Sequence, residues 1–129
     1  MSFLATDITS VVEIADTLVA ADTTVPHTLM TPQVTPVALG QLFLANSDVV
    51  DHNAVISFTN SGNTVAVHRE VVPAGAGFTT GPVVNPGGSP FSGLSQPEPI
   101  GPGTAIEWNV EESVTLSNFV SIGFVLGVY

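Results

Sequence analysis

The densest run of chemically capable side chains is Asn46-Ser47-Asp48-Val49-Val50-Asp51-His52-Asn53. Asp48 and Asp51 lie close enough along the chain to share a hard cation such as Ca²⁺, with the Asn oxygens as further ligands. Such an ion asks for about six to eight oxygens, and the EF-hand ligand spacing is missing from this run. The competing reading is a polar inter-strand loop built on Asx-turns, and it is preferred. Asp48 and Asp51 therefore stand as weak metal candidates only.

Other constellations are thinner. His27, His52 and His68 lie in different segments. A three-histidine zinc site is formally open to them, but nothing in their spacing draws them together. Glu111-Glu112 offers the two carboxylates that general acid–base catalysis uses. Adjacent residues of a strand point to opposite faces, so the pair reads instead as an exposed turn. No G-x-S-x-G elbow, H-E-x-x-H pair, P-loop or G-x-G-x-x-G stretch occurs. The chain has no cysteine, which excludes thiol catalysis, thiolate zinc sites and a disulfide scaffold. The expectation is a non-enzyme without a cofactor.

Arg69 is the only Lys or Arg of the chain, set against eleven carboxylates. With so many acids to choose from, it is expected to form a structural or intersubunit salt bridge rather than a ligand contact.

The elements that must hold these residues are read from period-two alternation. Val120, Ile122, Phe124, Leu126 and Val128 share one face of a run at 119–128, and Phe119, Val125 and Tyr129 share the other. A strand apolar on both faces is either central in a sandwich or packed on another subunit, so Phe119, Val125 and Tyr129 are candidate interface residues. Ile106, Trp108 and Val110 predict a strand at 104–110 with Trp108 in the core, and Val114 and Leu116 predict a short one at 113–117. Runs at 53–59 and 64–69 flank Asn60-Ser61-Gly62-Asn63, a hairpin signal. A strand at 36–45 carries Gly40 as a candidate bulge, and 23–30 is a seventh candidate. Residues 10–20 fit either a capped helix or a strand, and strand or irregular structure is preferred.

The stretch 73–103 holds seven prolines and eight glycines. It reads as a long connection crossing between two sheets, or alternatively as an arm reaching a neighbouring subunit, with 79–84 able to supply one strand. The whole predicts an all-β chain of about seven to nine strands: a single antiparallel β-sandwich over 1–129, jelly-roll or Ig-like. Residues 1–35 form its N-terminal arm or first strands.

Composition narrows the partners. A chain of 129 residues can bury roughly two-thirds of its unfolded surface in one core. Its formal charge of −10 opposes nucleic acid, which is bound through clustered Lys and Arg. The longest apolar run is broken by Ser121, Gly123 and Gly127 and falls well short of the ~20 residues of a spanning helix, so no membrane insertion is expected. The opening MSFLATDITS carries no basic n-region and does not read as a secretory leader. Lysine-free acidic surfaces resemble those of extreme halophiles, where salt screens self-repulsion over about 3 Å at 1 M. Charged residues are only 9% of the chain, so part of the surface is expected to be covered by neighbours.

The order of features resembles a family. An apolar strand ends in Asn-Ser (LFLANS, 42–47), then come a Val/Ile-rich hairpin and the turn Val71-Val72-Pro73-Ala74-Gly75. Pro102-Gly103-Thr104-Ala105-Ile106-Glu107-Trp108 leads into the tryptophan strand, and a β-branched run closes the chain. Over 36–129 this looks like the small β-sandwich virion proteins of tailed viruses, namely capsid decoration, turret or tail components. With its lysine-free acidic composition, it looks like one from a virus of halophilic archaea. The resemblance implies a virion location and no catalytic residues. It also implies assembly as a homo-oligomer, a trimer or higher cyclic ring, with other virion proteins such as a major capsid protein. The alternative is a receptor- or carbohydrate-binding β-sandwich at a fibre or spike, which an exposed Trp108 would favour. A cupin-like enzyme would need the histidines to converge inside one barrel.

Overall fold

A computed structural model describes residues 10–22, 24–78 and 98–128. Eight strands are found among them: β1 (Ser10–Val19), β2 (His27–Met30), β3 (Val37–Asn46), β4 (His52–Asn60), β5 (Asn63–Val72), β6 (Glu98–Ile100), β7 (Thr104–Val110) and β8 (Phe119–Val128). One 3₁₀ turn, Ala20–Asp22, follows β1. The strands form two four-stranded sheets, ordered β1-β8-β3-β6 and β2-β7-β4-β5. Every pairing is antiparallel. Of the two sandwich types expected, this order is the eight-stranded jelly roll, in which neighbours in a sheet are mostly distant in sequence.

The core is the product of alternation. On β8, Val120, Ile122, Phe124 and Leu126 are buried, and on β7 so are Ile106, Trp108 and Val110. They interlock with Leu42 and Leu44 of β3 and Ile56 of β4, each side chain of this size contributing ~1.5–3 kcal/mol on burial. Residues 10–19 are strand rather than helix: Leu18 is buried and Ile14 packs on the core, four residues apart and both inward, while Glu13, Ala15 and Thr17 face outward. β8 lies centrally, between β1 and β3.

The β4–β5 hairpin turns on two residues, Ser61 (φ 52°) and Gly62 (φ 81°). Positive φ at both centres is the turn whose twist matches that of the flanking strands. The bulge expected near Gly40 is present: the β3–β8 register skips from Leu39↔Leu126 to Leu42↔Phe124, leaving Val125 opposite two residues of β3.

The expected strand at 113–117 is absent, and a loop takes its place. Val114 is buried, Thr115 is captured by Asp48, and Asn118 N bonds Thr115 O to close a turn in which Ser117 has φ 69°. The unforeseen β6 is a short edge strand in which Pro99 is tolerated. β5 belongs to one sheet and β6 to the other, so the chain changes sheets between Val72 and Glu98. The candidate strand 79–84 lies outside the described residues.

Candidate functional site

The run 46–53 proves to be a hub at one end of the sandwich. Asn46 Oδ1 accepts the amide of Asp48 at 2.8 Å, the expected Asx-turn, while its Nδ2 donates to the carbonyls of Val50 (2.9 Å) and Val72 (3.0 Å). Ser47 exchanges backbone and hydroxyl bonds with Phe119. Asp48 is 1% exposed, and its oxygens accept from Val49 N at 2.7 Å, Thr115 N at 2.8 Å, the Thr115 hydroxyl, and His52 Nε2 at 2.8 Å. Burial pushes its pKa up, but the bonds from His52, then Thr115 and Val49, outweigh this and hold it well below the usual carboxylate range. Asp51, by contrast, is exposed and accepts the amide of Ala74 at 2.9 Å. The two carboxylates are thus committed to separate backbone clamps and do not form a shared cation site. Among the described residues, no group of three His, Cys, Asp or Glu side chains is placed to hold a metal.

The histidines do not converge. His52 is buried against Asp48, and His68 Nε2 lies 3.1 Å from Glu70 on its own strand. His27 sits between Asp16 and Asp22. The cupin-like reading loses the ligand set it requires. Trp108 is fully buried and donates its indole N–H to Asp16 at 2.7 Å, so it offers no platform for a sugar. Glu111 and Glu112 are both exposed, in the bend after β7. Arg69 Nε lies 2.6 Å from Glu111 Oε1 of the same chain, with 68% of its side chain exposed. A surface pair of this kind is worth little to stability.

The remaining candidates concern the outer face of the β1-β8-β3-β6 sheet. Cross-strand rows there run Glu13–Val125, Ala15–Gly123–Phe43, Thr17–Ser121–Ala45 and Val19–Phe119. Over Gly123 this surface forms a shallow trough of about 380 Å³, walled by Glu13, Ala15, Phe43 and Val125. Gly123 gives the trough its depth: a Cβ there would meet only the Ile14 carbonyl, at 3.9 Å. Phe119 is half-buried and sets its ring edge-on to Phe78, centroids 5.4 Å apart. Val125 is half-buried, and Tyr129 lies outside the described residues. Glu13 is the one charged side chain in these rows.

The outer face of the other sheet differs. Thr59 bonds both Thr64 (2.9 Å) and Glu107 (3.0 Å), and Asn53, Ser57, Arg69 and Asn109 occupy outward positions beside them. This face also carries Val55 and Val71, and the β1-β8-β3-β6 face has its own Thr17–Ser121 hydrogen bond at 3.2 Å. What sets the β1-β8-β3-β6 face apart is the apolar trough with a single charge in its rows. Sequence reasoning singled out Phe119 and Val125 but not Ala15, Phe43 or Gly123, because strand pairing alone brings β1 and β3 to either side of β8.

Compared with known proteins, the chain matches no family model, no curated protein and no solved structure.

Proposed function

We propose that the chain is a non-enzymatic virion structural protein of a halophilic archaeal virus, a capsid decoration, turret or tail component. It assembles with copies of itself, and with other virion proteins, through the outer face of the β1-β8-β3-β6 sheet. The observation that carries this reading is the apolar trough on that face. Ala15, Phe43, Gly123 and Val125 leave an apolar trough with Glu13 as its one charged wall, on a chain whose formal charge is −10. Apolar faces of this kind on otherwise polar molecules mark interaction sites. The jelly roll is compatible but does not decide the matter, since capsid proteins, lectins and cupins share it. The buried indole of Trp108 weighs against carbohydrate binding as the main role, because lectin sites rely on exposed aromatic platforms or Ca²⁺.

Two variants test the assembly face. Val125→Asp places a charge on the trough wall, and Gly123→Glu fills its floor, where the backbone leaves room for a side chain. Both are expected to keep the circular-dichroism spectrum of the parent in high salt while light scattering shows loss of the oligomer. Normal assembly of both variants would move the interface elsewhere. The virion location is tested by peptide mass spectrometry of gradient-purified particles from the source culture; peptides found only in the particle-free fraction would reject it.

A further inference from the structure

His27 stands where the two sheets meet along their β1 and β2 edges, and both of its ring nitrogens face carboxylates. Nδ1 lies 2.8 Å from Asp16 Oδ2 and Nε2 lies 3.0 Å from Asp22 Oδ1. Asp16 belongs to the inward side of β1, and the same Oδ2 accepts the indole N–H of Trp108, the cross-strand partner of His27. Asp22 closes the 3₁₀ turn after β1, and its Oδ2 accepts the amide of Val19 at 2.7 Å. Among the described residues, the hydrogen bonds from β1 to the facing sheet run through Asp16. On the sheet side β1 pairs with β8 alone.

We propose that His27 is a charge-dependent clasp that fastens the edge strand β1 and its following turn to the opposite sheet, closed while the imidazole is protonated and released when it loses its proton. The reason is one of donors. A neutral imidazole carries a single N–H, so one of its two nitrogens would turn a lone pair toward a carboxylate oxygen at 3.0 Å or less. Only the imidazolium donates to both. Burial pulls the His27 pKa down, but the hydrogen bonds to Asp16 and Asp22, and their charges, outweigh this and raise it above the ordinary imidazole value. Nothing else charged faces the ring among the described residues. Trp108 is uncharged, Glu107 sits on the outer face of its sheet bonded to Thr59, and Arg69, the only Lys or Arg, is paired with Glu111.

The direction follows from linkage. A group whose pKa is raised by folding stabilises fully below its unfolded value of about 6.5, and that contribution fades as pH rises through the folded value. The clasp therefore opens on the alkaline side. Asp16 keeps Trp108 and Asp22 keeps Val19, so opening loosens β1 and its turn from β2 while the tether to β7 and the core stay in place.

The test uses the intact chain in the salt where it is folded. The imidazole of His27 is titrated by NMR in the parent, in Asp16→Asn and in Asp22→Asn. Amide exchange, corrected for its intrinsic pH dependence, is followed at two pH values placed either side of the His27 midpoint that this titration gives. His27 is expected to titrate above free imidazole and to drop in both Asn variants. Protection of the β1 amides should fall about tenfold across that midpoint while β4 and β7 stay unchanged. In His27→Gln, β1 protection should be low at both pH values. A His27 midpoint at or below that of free imidazole, or β1 protection that ignores it, overturns the proposal. If the Gln variant does not fold, the titration and exchange of the parent chain decide.

Discussion

At the level of single residues, Asp48 shows how a charge is kept inside an apolar sandwich. Its side chain is sealed from water, which by itself would favour the neutral acid. Bonds from His52, Thr115 and Val49 reverse that preference and keep it ionised. Folding thus lowers its pKa, so the stability it contributes is complete above the unfolded carboxylate value of about 4 and is lost as pH falls below it. Stability is accordingly expected to start falling near pH 4 and to go on falling as the solution is made more acid. Asp48→Asn should remove that limb of the pH–stability curve and lower neutral-pH stability by about 3 kcal/mol, since an amide cannot accept everything offered to it. Urea midpoints measured at intervals from about pH 2 to 7 check both parts; an Asn variant with the parent's acid limb would show that another carboxylate controls it. The carboxylate was visible in the sequence, but its clamp was not, because Thr115 is 67 positions away.

The elements divide by how local their causes are. β7 and β8 match the expected 104–110 and 119–128, and the β4–β5 hairpin lies within three residues of expectation at every end, because alternation and the Ser61-Gly62 turn are written in neighbouring residues. The short edge strand β6 was not legible, since its three residues pair only where β3 happens to pass. The false strand at 113–117 shows the reverse error: Val114 and Leu116 share a face only on paper, since one fills the core and the other, 84% exposed, points out from a loop. Two substitutions probe the elements that were legible. Phe124, 3% exposed on the inward face of β8, is expected to cost ~3–5 kcal/mol when cut to alanine, through lost transfer energy and the cavity left behind. Ser61 holds φ 52° without being glycine, and Asn tolerates that region better. Ser61→Asn should therefore raise stability by a few tenths to about 1 kcal/mol. Thermal midpoints of the two variants, moving in opposite directions, check the pair; a neutral Phe124→Ala would mean that β8 is not the centre of the core.

For the whole molecule, the sequence could not choose between jelly-roll and Ig-like orders, because the choice lies in which distant strands meet. β1 meets β8, and β2 meets β7, pairings that no local pattern encodes. The same pairings assemble the apolar face from β1, β8 and β3, and this sets the last prediction. Eleven carboxylates against one Arg give every copy a charge of −10, so copies repel at long range. Screening of about 10 Å at 0.1 M shrinks to about 3 Å at 1 M, and excluded salts also strengthen apolar burial. A contact made through the trough keeps all but Glu13 of the described charges outside its rows, so salt need screen only the rest of the surface. Across ~0.1–3 M NaCl, light scattering should show the mass of the assembly falling as salt is withdrawn. Val125→Asp should remain monomeric throughout, because its new charge sits inside the contact, where added salt screens it least. A parent chain that stays monomeric at every salt concentration would sink the assembly reading. A mass independent of salt, lost only in Val125→Asp, would keep the interface and discard the electrostatic control of it.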